Sequence, residues 1–149
     1  MTTTNVHCEI TAFSASDDGH HMAEDYAFWP PLIAYFIDRS DAFEIHCWEE
    51  EQETVEQIQR ELDQVQLQKE GHTAVFSGPL TPETKAFFPT KALNNKNQLK
   101  WFSVFLLKDG QSLFSSEHYG TELIGYGLTD EQTKFLQEAL PENASFTKY

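Results

Sequence analysis

Apolar and polar residues alternate over residues 6–14, with Val6, Cys8, Ile10 and Ala12 on one side and His7, Glu9 and Thr11 on the other. A period of two predicts a half-buried strand. The stretch "SASDDGHH" follows, rich in residues that favour turns. In "YAFWPPLIAYFIDR" the Pro30-Pro31 pair biases Trp29 and Pro30 away from helical geometry, and residues 32–38 are almost wholly apolar. That run fits a short buried helix begun by proline or a strand, with helix preferred. "DAFEIHCWE" alternates again, setting Phe43, Ile45 and Cys47 against Glu44, His46 and Trp48, and predicts a second strand.

Over residues 49–70 the period changes. Val55, Ile58, Leu62 and Val65 recur at spacings of three and four, and nearly every position between them is Glu, Gln or Asp. This predicts a long amphipathic helix with one apolar stripe, with Glu49, Glu50 and Glu51 at its positive end and Gly71 as its stop. "HTAVFSG" predicts a strand. "LTPETKAFFP" predicts a short helix capped by Thr81, opened by Pro82 and ended by Pro89. After the polar loop "LNNKNQ", "LKWFSVFLLK" is apolar at both parities, as expected of an interior strand covered on both faces. Asp109-Gly110 supplies a hairpin turn into "QSLFSSEH", and "TELIGYG" offers a third strand. "LTDEQTKFLQEAL" opens with a Thr129/Gln132 capping box, buries Phe135, Leu136, Ala139 and Leu140, and stops at Pro141.

The expected fold is therefore α+β, one domain over residues 1–149. It has an antiparallel or mixed sheet of about five or six strands, with a long helix over 49–70 and a C-terminal helix over 129–140 packed on it.

Charge changes this picture more than composition does. The chain has 149 residues, net charge −14 and 13% aromatic residues, too aromatic for a disordered chain. Residues 1–75 hold 16 acids and 3 bases, and residues 76–149 hold 8 acids and 7 bases. Such a surface argues against direct contact with nucleic acid or anionic membrane and for a basic protein partner. The bland alternative is that surplus acid only keeps the chain soluble. The first ten residues lack a basic start and an apolar core, so a cytoplasmic location is expected. Cys8 and Cys47 are then read as buried thiols.

The common catalytic signatures are missing: no G-x-S-x-G, no phosphate-binding glycine loop, no C-x-x-C and no H-E-x-x-H. The chain is read as a binding protein before an enzyme. Four features still carry candidate chemistry. "DDGHHMAED" gathers Asp17, Asp18, His20, His21, Glu24 and Asp25, and Asp17, His20 and His21 could reach one divalent metal ion. "VHCE" and "IHCW" each set a histidine beside a cysteine. If those strands were neighbours, His7, His46, Glu9 and Glu44 would share one face. The acidic helix offers Glu50, Glu53, Glu56 and Asp63 to a basic partner. Tyr26 and Trp29, with Tyr35 and Phe36 nearby, are aromatic anchors if exposed and core if not. Tyr119, Tyr126 and His118 could line a cleft or be plain strand residues.

Three functions follow from these features. The first is a small acidic binding or inhibitor-type protein, immunity-, antidefence- or regulator-like, docking on a basic partner. The second is a metal-dependent enzyme using Asp17, His20, His21, His7 and His46. The third is a structural subunit of a homo-oligomer.

Overall fold

The computed structural model describes residues 3–11, 13–15 and 21–149, with backbone alone for 13–15 and 21. Its local elements follow from residue pattern, and its sheet from pairings the pattern does not show. Strand β1 (Thr4–Glu9) buries Val6 and Cys8 and turns His7 and Glu9 away from the core. Two three-residue strands, β2 (Phe13–Ala15) and β3 (His21–Ala23), form a separate antiparallel pair.

Helix α1 (Trp29–Ile37) begins earlier than the prolines suggest, with Trp29 already helical. The bias against helix before proline is overridden by burial. Trp29 is 1% exposed and its indole Nε1 donates to Ser116 Oγ at 2.9 Å. The prolines sit in the first turn, where a missing N–H leaves no helical hydrogen bond unmade. Strand β4 (Ala42–Trp48) has the expected alternation, with Phe43, Ile45 and Cys47 buried.

The long helix over 49–70 is not formed. Helix α2 covers only Gln52–Glu61, and Leu62 is already extended. The expected stripe is nevertheless satisfied: Ile58 and Leu62 are buried, and Val55 and Val65 pack against the core. Nothing apolar remains on that stripe beyond Val65. Gln64 takes a positive φ of 59°, and residues 66–70 gain more by pairing their backbone than by extending a polar helix. They become edge strand β5 (Gln66–Glu70), hairpinned through Gly71 to β6 (Thr73–Pro79).

Helix α3 (Pro82–Thr90) has its expected cap, with Thr81 Oγ1 accepting from the Thr84 N–H, and it runs one residue past Pro89. Strands β7 (Ser103–Lys108) and β8 (Gln111–Glu117) turn through Asp109 and Gly110, both at positive φ. Strand β9 (Glu122–Leu128) follows, then α4 (Asp130–Ala139) with its capping box, then β10 (Ser145–Lys148).

Among the described residues the result is α+β with four helices and one eight-stranded antiparallel sheet, ordered β10-β1-β9-β8-β7-β4-β6-β5. This corrects the expectation of about five or six strands with one long helix. The miscount arose at β5, hidden inside the helical pattern, and at β10, whose four residues pair with β1 at the sheet edge. Residues from all four helices join the inward residues of the sheet in one core, in which Phe36 stacks on Phe114 and Phe43 meets Phe88 edge-on. The outward residues Val75, Phe105, Leu107 and Ile124 stand outside that core. The expectation that β7 is covered on both faces is therefore corrected as well: among the described elements, helices cover one face only.

No described helix is long and apolar enough to cross a membrane.

Candidate functional site

A cleft of about 680 Å³ lies between α2 and residues 93–100. One wall carries Glu51, Glu53, Glu56, Gln57 and Arg60. The other is a small loop built on Asn94, whose carboxamide Oδ1 accepts from the backbone N–H of Lys96 and Gln98 while Asn97 sits at a φ of 60°. A short side chain that satisfies its own loop in this way is why the polar run "NNKNQ" turns tightly. Lys100 crosses the cleft, donating from Nζ to Gln57 Oε1 at 2.6 Å. Burial pulls the Lys100 pKa down, and Lys91 adds to this while Glu61 opposes it.

Tyr119 and Met22 complete the lining. Tyr119 comes from the β8–β9 turn, where His118, Tyr119 and Gly120 all have positive φ, at 52°, 56° and 76°. Each non-glycine residue held there costs about 1–2 kcal/mol. Such a turn persists because its surroundings over-determine it. Tyr119 N–H donates to the Phe102 carbonyl, its carbonyl accepts from Tyr26 OH, and its own hydroxyl donates to Glu51 Oε2 at 3.1 Å. Glu51 Oε1 in turn accepts from the Trp48 N–H at 3.1 Å, so one carboxylate ties the start of α2 to the strained turn.

The cleft gathers part of the predicted acidic set. Glu53 and Glu56 line it, whereas Glu50 and Asp63 are exposed beside α2 and do not. Tyr26 and Trp29 are 2% and 1% exposed, so neither is a surface anchor. Both instead brace the turn from below, and burial pushes the Tyr26 hydroxyl up to about 12. Tyr119 does reach the cleft, while His118 and Tyr126 do not line it.

The proposed convergence of His7 and His46 fails. They share the outward face with Glu9 and Glu44, but β9, β8 and β7 stand between β1 and β4. Four strand spacings separate them, about 19 Å. His46 Nε2 pairs with Glu44 Oε1 at 2.8 Å on its own strand. His7 Nε2 lies 3.2 Å from Glu122 Oε2, and His118 Nδ1 lies 2.7 Å from Glu122 Oε1. Burial works to raise the Glu122 pKa, but hydrogen bonds and charge from these two histidines outweigh it and hold the carboxyl below its usual range. Asp17, Asp18 and His20 lie outside the described residues, as does the side chain of His21. Among the described residues no group of three or more His, Cys, Asp or Glu side chains is arranged to hold a metal ion. Both cysteines are buried and free, with burial pushing the Cys8 thiol up to about 12 and Cys47 also upward.

Sequence reasoning missed the second wall of the cleft. Its signal was the Asn-rich run at 94–98, which reads as a turn and nothing more until α2 is set beside it.

Comparison with protein-family models, with curated proteins and with solved structures finds no match to this chain.

Proposed function

We propose that the protein is a small acidic docking protein that binds a basic protein partner, with the α2 cleft as the principal contact. The observation that carries this reading is the position of Glu53 and Glu56. Both are exposed, both line the cleft beside α2, and both belong to the strongly acidic half of the chain. Carboxylates at the mouth of a cleft attract a cationic segment before contact and bias its approach.

The opposite wall refines the partner. Lys96 and Lys100 add positive charge beside the amides of Asn94, Asn95 and Gln98, and Arg60 sets one cation among the carboxylates of the α2 wall. The segment that fits presents lysine or arginine towards α2 and a carboxylate or carbonyl towards the 93–100 loop. The strained turn supports the same reading, since backbone strain held in place by buried partners concentrates at binding sites.

Affinity capture from cells that produce the protein tests this. The wild type and the charge-reversed pair Glu53→Lys/Glu56→Lys are used as bait, each at low and at high salt. The expected result is a basic protein retained by the wild type at low salt, weakened by salt and lost to the variant. Retention that ignores both salt and charge reversal, or no retention at all, rejects the reading.

A further inference from the structure

The outward face of the sheet carries a second feature, remote from α2. Register places Glu9 opposite Glu122 and Glu122 opposite Glu117, so three carboxylates lie side by side across β1, β9 and β8. Like charges directly opposite on neighbouring strands destabilise a sheet. His7 and His118 offset part of this through Glu122. Glu44 adds a fourth carboxylate on β4, and no lysine or arginine occupies an outward position on β1, β4 or β6 to β9 among the described residues.

Between the carboxylates the face is apolar. Ile124, Ser115, Phe105 and Glu44 follow one another in a single cross-strand row, with Val75 one row away beside His46. Val75 is only 6% exposed although no described helix lies over it, and it stands outside the core. The sequence of β7 is that of a strand covered on both faces, and among the described elements helices cover one. An apolar centre edged by carboxylates is complementary to an amphipathic helix with an apolar stripe and flanking lysines or arginines.

We propose that this face docks a basic amphipathic helix of the partner, completing a second helical layer over the sheet. The proposal rests on the basic-partner reading above and adds a second contact surface to it. The partner helix sets its apolar stripe on the half-buried Phe105 and Ile124. Its cations meet the Glu9–Glu122–Glu117 row on one side and Glu44 on the other.

The test uses the full chain, ¹⁵N-labelled, titrated with an 18-residue helical peptide of leucine, lysine and alanine that has its leucines on one face. A second peptide has every lysine replaced by glutamate. Among the sheet amides, the expected result is shift changes in β1, β4 and β7 to β9 with the basic peptide and none with the acidic one. Glu44→Lys/Glu117→Lys should weaken binding at least tenfold, read from the sheet-face amides. Glu117→Gln, a milder change, should give a smaller loss in the same direction. Shifts confined to α2 with the sheet-face variants neutral overturn this proposal and leave the basic-partner reading standing. Equal binding of both peptides, or of neither, overturns the proposal and counts against charge-led recognition at either surface.

Discussion

Replacing Gly120 by alanine tests the geometry on which the cleft depends. Gly120 holds a φ of 76°, a region that costs an L-residue roughly 1–2 kcal/mol. An added Cβ would also meet Leu99 Cδ2 at 2.9 Å, Trp29 Cδ1 at 3.2 Å and Tyr26 Cε1 at 3.3 Å. All three belong to buried side chains, so none can simply swing into solvent. Overpacking of this kind costs typically about 1–3 kcal/mol. Together Gly120→Ala should destabilise the fold by about 2–5 kcal/mol. Gly71 and Gly110 serve as internal controls. They too have positive φ, but a Cβ there meets nothing within 4 Å, so alanine should cost only the backbone share, about 1–2 kcal/mol. Urea unfolding followed by tryptophan fluorescence measures all three variants. If Gly120→Ala costs no more than Gly71→Ala, the turn is not clamped as described, and the account of how Tyr119 is positioned is wrong.

Other consequences are equally open to measurement. Ile58 is wholly buried and is the only residue of α2 that is, so Ile58→Ala should cost about 2–5 kcal/mol in denaturant unfolding and should loosen amide exchange in α2 before the sheet. Glu122 has a depressed pKa in the folded chain, so its contribution to stability is present above the unfolded carboxylate pKa and is lost as pH falls through the folded value. Glu122→Gln should therefore flatten the acid side of a stability–pH curve while leaving its alkaline side unchanged, and an unaltered acid side would contradict the pairing with His7 and His118. Cys8 and Cys47 should react with a thiol reagent at neutral pH only as fast as the protein unfolds, because burial raises both thiols and hides them; rapid labelling of the native protein would refute this.

What could be read from the sequence was local. The alternation of β4, the Asp109-Gly110 turn, the Thr81 and Thr129 caps and the apolar stripe of α2 each depend on residues within a few positions of one another. What could not be read was pairing. Nothing in "TNVHCE" says that it lies between β9 and β10, and this placement is what separates His7 from His46 and sets Glu9 beside Glu122. The helix overrun at 62–70 has the same origin, since Gln66–Glu70 is polar enough for a helix surface and becomes a strand because β6 offers it a ladder. Trp29 was legible as an aromatic of weight, but only its contact with Ser116, 87 positions along the chain, decides that it is core. The candidate site was half legible for the same reason: Glu53 and Glu56 were visible, and the wall facing them was not.

Docking of a basic partner on the acidic surface is tested most directly by zero-length cross-linking. A carbodiimide joins carboxylates to lysines in contact, and mass spectrometry of the captured complex identifies which carboxylates reacted. Links from partner lysines to Glu53 or Glu56 are predicted, together with links to Glu44 or Glu117 if the sheet face is also engaged. Links confined to Glu131 and Glu138 of α4, with the α2 glutamates unmodified by any partner lysine, would contradict the account.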